Sequence, residues 1–157
     1  MSYRHLLAAG LLVCAATPAF AVEITRSVEV STNPAKTWEA IGAFCGIGVW
    51  HPAIAKCELG MRKAHAARTL SLKGGGTILE EELERSDRGM SYTYAILESP
   101  LPVEDYKSTI SVKEHGTGST ITWAGNFKAK GASDAKAAEV ITGIYDAGLG
   151  GLKAKLK

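Results

Sequence analysis

From Ser133 to Lys157 the chain repeats apolar residues at helical spacing. Ala135, Ala138, Ile141, Tyr145, Leu149, Leu152 and Leu156 share one stripe, and Lys136, Glu139, Asp146, Lys153 and Lys155 fall mostly elsewhere. Ser133 or Asp134 is placed to cap the first turn. No other segment reads as a helix of this length, and what precedes it reads as short alternating strands with turn residues between them. A single long helix after a run of antiparallel strands has to bury its stripe against their sheet. Gly143, Gly148, Gly150 and Gly151 lie inside the helical pattern, where each costs roughly 1 kcal/mol relative to Ala. Two readings follow. Either the helix ends near Gly150, or the small residues face inward, where they leave space for a ligand or let backbones approach.

The strands are legible from their alternation. Val22, Ile24, Val28 and Val30 share a face interrupted by Arg26. Asn33-Pro34 is an N-cap followed by proline at the first helical position. The helix it opens carries Trp38, Ile41 and Cys45 inward, and Gly46-Ile47-Gly48 interrupts it before a short helical turn through Val49-Trp50-His51-Pro52. Six strands follow: Ile54–Gly60, Ala67–Lys73, Thr77–Ser86, one led by Met90, Tyr92, Tyr94 and Ile96, one by Tyr106, Ser108, Ile110 and Val112, and one by Ile121, Trp123, Gly125 and Phe127. Gly74-Gly75-Gly76, Asp87-Arg88-Gly89 and His115-Gly116-Thr117-Gly118 turn the chain tightly between strands. Tight turns make an antiparallel meander. The expected fold is therefore α+β, in the order strand, helix, short helix, six strands, long helix, with the sheet curled around the last helix.

Met1–Ala21 reads as a secretory signal: Arg4, an apolar run from Leu6 to Ala16, Pro18, and the small-x-small site Ala19-Phe20-Ala21. The run is too short for a stable membrane anchor. Cys14 lies within it, after Val13, a poor context for lipidation. Cleavage near Ala21 would leave one domain, Val22–Lys157, in the periplasm or outside the cell. Without Arg4 that segment keeps 17 basic residues against 16 acidic ones. It has no basic stripe interleaved with aromatics, as nucleic-acid binding would need, and no polybasic run for an anionic membrane. Cys45 and Cys57 remain. An even count in an exported chain favours a disulfide, with two buried free thiols as the other reading.

In order and spacing, several short motifs resemble the SRPBCC superfamily (START and Bet v 1-like proteins), in particular its bacterial polyketide cyclase/dehydrase and lipid-transport-like branch. They are Trp50-His51-Pro52, Gly75–Thr77 leading to Glu81, Tyr92-x-Tyr94, Pro100-Leu101-Pro102 with Tyr106, Thr122-Trp123 through Phe127, and Ile144-Tyr145-Asp146-Ala147-Gly148-Leu149. The resemblance spans Val22–Lys157. It implies a helix-grip fold with a seven-stranded sheet and an apolar cavity between sheet and C-terminal helix. It does not imply one activity, since the superfamily carries many. The branch includes secreted members linked to methanol oxidation, which this chain resembles in fold and export.

Among candidate site residues, Glu81 lies between Leu79 and Leu83 on the face expected to turn inward, where a carboxylate must be paired or have a raised pKa. It either anchors a ligand or acts as acid/base, or it pairs with Arg26 or a tyrosine. His51 is the acid/base candidate by residue type, or else a gate residue bonded to backbone. Tyr92, Tyr94, Tyr106 and Tyr145 suit either a cavity with polar anchors or an ordinary core. Trp50 and Trp123 are placed at the cavity mouth and in the core. Lys73-Gly74-Gly75-Gly76-Thr77 lacks the ending of a phosphate loop. His51, His65 and His115 show no metal-ligand spacing, and no cofactor motif is present.

The leading expectation is an exported, non-catalytic protein that binds a small hydrophobic or amphipathic molecule. A cyclase or dehydratase using His51 or Glu81 is the second reading, and it needs both side chains to face one cavity. An accessory to an exported redox enzyme is the third.

Overall fold

The computed structural model describes residues 21–156. The expected secretory signal, apart from Ala21, lies outside the described residues, as does Cys14. β1 (Val22–Val30) leads into α1 (Pro34–Ile41) and α2 (Ile47–Trp50). Then come β2 (Ile54–Arg62), β3 (His65–Leu72), β4 (Thr77–Ser86), β5 (Ser91–Glu98), β6 (Val103–His115), β7 (Gly118–Ala129) and α3 (Asp134–Lys155). The seven strands form one curved antiparallel sheet in the order β1-β7-β6-β5-β4-β3-β2, the helix-grip arrangement. Six strands run as a meander, β1 joins it beside β7, and among the described residues β1 and β2 are the edge strands.

Local chemistry sets the helix boundaries. Asn33 Oδ1 accepts from the Lys36 amide at 3.0 Å, and Pro34 opens α1. The expected helix ran on to Cys45, but α1 stops at Ile41. Gly42 closes it with an N–H bond to the Trp38 carbonyl at 2.6 Å, and a Cβ there would lie 2.7 Å from the Trp38 indole. Cys45 is thereby released from helical geometry and forms a disulfide with Cys57 of β2, their Cα atoms 5.6 Å apart.

α3 spans the whole expected segment, capped by Ser133, whose Oγ accepts from the Lys136 amide. Asp134 in its first turn and Lys153 and Lys155 in its last complement the helix dipole. Ile141, Tyr145, Leu149 and Leu152 are buried as the stripe predicts, whereas Ala135 is exposed and Ala137 takes the inward place near the start. The helix does not end at Gly150, so that reading is corrected. The glycines divide. Gly143 and Gly150 face open space. Gly148 and Gly151 face inward, but the room they leave is taken by protein. A Cβ on Gly148 would lie 2.7 Å from both His51 Cδ2 and Trp123 Cζ3, and one on Gly151 would lie 2.3 Å from the Trp50 carbonyl oxygen. These glycines let the α2–β2 connection press onto the helix. They do not hollow out a ligand site, as one of the expectations had it.

α3 is tied to β1 at the surface. Arg26 donates through Nε and Nη2 to the Asp146 carboxylate at 2.6 and 3.1 Å. The expected Arg26–Glu81 pair is not formed. In the core, Ile41, Ile110, Ile121 and Phe127 are almost completely buried, as are Ile141 and Leu152 of α3.

The Cys45–Cys57 bond closes a loop with a sequence separation of 12 residues. In the chain-entropy account, closing a loop of this length contributes about 3 kcal/mol. Urea denaturation with and without reductant should show a loss of that order, and Cys45→Ala/Cys57→Ala should be insensitive to reductant.

Candidate functional site

Pleating decides which side chains reach the space beneath α3. Across the Gly74–Gly76 turn Ser71 pairs with Thr77, Leu70 with Ile78, and Arg68 with Glu80. Directly opposite residues share a face, so Arg68 and Glu80 both point to the concave side with Leu70 and Ile78. Glu81 points the other way, half-buried and opposite Ala67. The inward carboxylate of β4 is therefore Glu80, not Glu81. A one-residue change of register exchanges the two faces of a strand.

The Arg68 and Glu80 side chains are 0% and 5% exposed, with Arg68 Nε donating to Glu80 Oε2 at 2.5 Å. Arg68 Nη1 donates to the Phe44 carbonyl. The guanidinium carbon lies 4.2 Å from the centre of the Phe44 ring and 4.9 Å from that of Tyr94, so aromatic faces supply what water would have supplied. Burial opposes the Arg68 charge, but Glu80, with Tyr92 and Tyr94, outweighs it and its pKa is raised. Burial pushes the Glu80 carboxyl above its usual range, and Arg68 pulls it back.

A second polar system runs through the tyrosines. Trp123 Nε1 donates to the Tyr94 hydroxyl at 3.0 Å, and the Tyr94 and Tyr106 hydroxyls are 3.5 Å apart. Tyr106 and Tyr145 hydroxyls are 2.6 Å apart, Tyr145 and Ser108 hydroxyls 2.9 Å, and Ser108 donates to the Ala124 carbonyl at 2.9 Å. Each hydroxyl has one proton, so the fixed ends set the direction of the chain. The indole donates to Tyr94, Tyr94 to Tyr106, Tyr106 to Tyr145, Tyr145 to Ser108, and Ser108 to the carbonyl. Desolvation holds Tyr94 and Tyr106 well above the ordinary phenol value and pushes Tyr145 up to about 12. All three are neutral hydrogen-bonding groups at physiological pH. Gly125 makes the arrangement possible, since a Cβ there would lie 2.2 Å from the Tyr145 hydroxyl. The Tyr145 ring stacks on Trp123 with centroids 4.4 Å apart.

His51 is held at both nitrogens. The Ala53 amide donates to Nδ1 at 3.2 Å, which makes Nε2 the protonated nitrogen, and Nε2 donates to the Ile144 carbonyl at 3.0 Å. In a helix that carbonyl serves the amide four residues on, here Gly148, and the missing side chain there lets the imidazole share it. Burial pushes the His51 pKa below its usual value, the Ile144 bond opposes this, and the Arg68 charge adds to the lowering.

A cavity of about 360 Å³ lies between these groups and α3. Its walls are Ile47, Ile54, Leu70, Leu72, Ile78, Ile96 and Leu101 from one side and Val140, Ile141 and Ile144 from α3, with Gly74 and Gly75 at the turn. His51, Glu80, Tyr94, Tyr106 and Trp123 supply the polar lining. Of the residues expected at a site, the structure thus brings together His51, Tyr94, Tyr106 and Trp123. Trp50 is buried against Trp123, Tyr92 is buried against Phe44 and Trp38, and Tyr145 lies behind Trp123; none of the three lines the cavity. Glu81 is outside it. Arg68 and Glu80 were not singled out from the sequence, yet an arginine sharing a strand face with Leu70 and Leu72 was the available signal.

A larger cleft, about 990 Å³, lies where β5 and β6 diverge beyond Ala95 and Lys107, and it shares Ile96, Leu101 and Tyr106 with the cavity. Among the described residues no three His, Cys, Asp or Glu side chains are grouped to hold a metal ion, and no helix is long and apolar enough to cross a membrane.

Two outcomes follow from the buried polar groups. Arg68→Ala leaves the Glu80 charge unpaired and should cost about 3–5 kcal/mol, whereas Arg68→Met/Glu80→Leu should cost less than Arg68→Ala alone, as urea denaturation will show. Above about pH 6.5 the His51 imidazole is neutral in folded and unfolded chains alike. As pH falls below this value, the unfolded chain takes up a proton that the folded chain resists. Stability should therefore decline until the depressed folded-state pKa is passed. His51→Gln, which keeps a donor for Ile144, should flatten that part of a stability–pH profile.

Comparison with known proteins places this geometry. The family model described as polyketide cyclase/dehydrase and lipid transport matches residues 21–157. The solved structure of protein XoxI from Bacillus cereus is 34% identical, covers 85% of this chain and 94% of that one, and superposes with a TM-score of 0.81. An uncharacterised protein from Bacillus thuringiensis is 33% identical over 86% of this chain and 98% of its own, also at 0.81. The ZhuI aromatase/cyclase from a Streptomyces species shares the fold at a TM-score of 0.71 with 14% identity, covering 87% of this chain and 94% of that one. No curated protein matches the sequence.

Proposed function

We propose that this chain, which belongs to the polyketide cyclase/dehydrase and lipid transport family of the SRPBCC superfamily, is an exported binding protein. Its ligand is a small, mainly apolar molecule held between the sheet and α3. The observation that carries this reading is the cavity itself: about 360 Å³, walled by aliphatic side chains, with a few convergent polar groups. At the ~30 Å³ that each water occupies in the liquid, this volume holds about a dozen non-hydrogen atoms. The ligand is compact, closer to a substituted aromatic ring or a short acyl chain than to a whole lipid. Glu80 accepts from Arg68 through Oε2 and also lines the cavity. A hydroxyl or amine on the ligand is the matching group, because a carboxylate is an acceptor only. Export rests on the basic start, apolar run and small-x-small site of Met1–Ala21.

The acid/base reading required His51 and Glu81 to face one cavity. His51 reaches it with both nitrogens already bonded, and Glu81 lies on the opposite face of the sheet. Binding without catalysis fits this arrangement better.

The test is solvent extraction of the purified protein with mass spectrometry of the extract, followed by titration with a fluorescent short-chain lipid analogue. A bound small molecule, or saturable probe binding that Leu72→Trp abolishes without loss of fold, is the expected result. An empty extract with no probe binding would overturn the proposal.

A further inference from the structure

The second half of β2 is bare. α2 covers the start of the strand, with Gly48 lying against Cys57, but Leu59 and Met61 further along are 66% and 68% exposed. In register they stand opposite Arg68 and Ala66, on the concave side. β2 is also an edge of the sheet, and among the described residues no strand pairs with its outer side. An edge strand with exposed apolar side chains is a template for another strand.

The sequence of this edge is self-complementary. When Glu58–Arg62 is laid antiparallel against the same segment of a second copy about a two-fold axis through Gly60, Glu58 stands opposite Arg62 and Leu59 opposite Met61. Alternation puts both charge pairs on the convex face and all four apolar side chains on the concave face. Opposite charges and apolar residues directly across an antiparallel pair are favourable, and like charges are unfavourable. Neighbouring registers fail this condition. An axis through Leu59 sets Lys56 against Arg62, and one through Glu58 sets that carboxylate against itself. Gly60 stands on the axis itself, and nothing lies within 4 Å of where its Cβ would be, so the convex face at the axis is uncrowded. Glu58 now pairs with Lys56 at 2.8 Å, with both side chains largely exposed. Such a pair contributes little and gives way readily.

We infer that β2 is a self-association edge, through which a second copy of this chain extends the sheet across the two-fold axis at Gly60. The contact is isologous, as a two-fold dimer requires. It is shorter than a standard interface, so the dimer is reversible and depends on concentration. It lies away from the cavity, and its success or failure is independent of ligand binding.

Sedimentation velocity of the purified protein over a wide concentration range at low salt tests this. A reversible monomer–dimer equilibrium is expected. Glu58→Arg or Arg62→Glu alone sets like charges against each other at both pairs and should raise the dissociation constant about tenfold or more. The double exchange Glu58→Arg/Arg62→Glu should restore dimerisation. Met61→Lys should dissociate the dimer while leaving the circular dichroism spectrum unchanged. A monomer at every concentration, single variants that dimerise like the parent, or a double exchange that fails to restore pairing would each overturn the inference.

Discussion

A guanidinium and a carboxylate lie side by side inside the curved sheet, and much of the interior follows from accommodating them. Taking two charges out of water costs several kcal/mol per ion unless further bonds compensate. Arg68 finds those bonds in Glu80 and in the Phe44 carbonyl, and its flat faces meet the Phe44 and Tyr94 rings. The pair therefore fixes three pieces of chain at once: β3, β4, and the segment between α1 and α2. The disulfide from Cys45 to Cys57 holds that same segment to the sheet one residue further on. The cavity opens beside this braced corner, with Glu80 in its wall.

On the other side of the cavity the polar groups are arranged differently. The Trp123–Tyr94–Tyr106–Tyr145–Ser108 chain has a single direction, because it begins at an indole that only donates and ends at a carbonyl that only accepts. His51 is likewise committed to Ala53 and Ile144. These groups present fixed dipoles and aromatic surface to the cavity, and Glu80 adds a carboxylate to the same wall.

Much of the architecture was legible from alternation and capping. The Asn33-Pro34 start of α1, the Tyr92/Tyr94 face of β5 and the whole extent of α3 stand where periodicity puts them. The inward carboxylate was not. In Leu79-Glu80-Glu81-Glu82-Leu83 the flanking leucines make Glu81 look inward, but pairing with β3 puts Leu79 and Glu81 together on the face away from Ile78 and Glu80, and Leu83 is the extra residue of a bulge where Glu82 and Glu84 pair with the consecutive Tyr94 and Thr93. Counting outward from the glycine turn, with Leu70 opposite Ile78, would have set Arg68 against Glu80. The inward glycines of α3 were correctly suspected, but their purpose depends on the α2–β2 connection, whose approach no helical pattern contains. The cavity volume depends on how those rings settle, and so is a property of packing.

We propose that the space beneath α3 takes up a compact apolar molecule with a hydrogen-bond donor. Methyl-resolved NMR of the protein titrated with a small aromatic alcohol tests it most directly. Saturable shifts are expected at Ile78, Ile96, Ile141 and Ile144, which line the cavity, with Val49 and Leu59 on the surface unmoved. Shifts confined to the surface residues, or none at all, would contradict it.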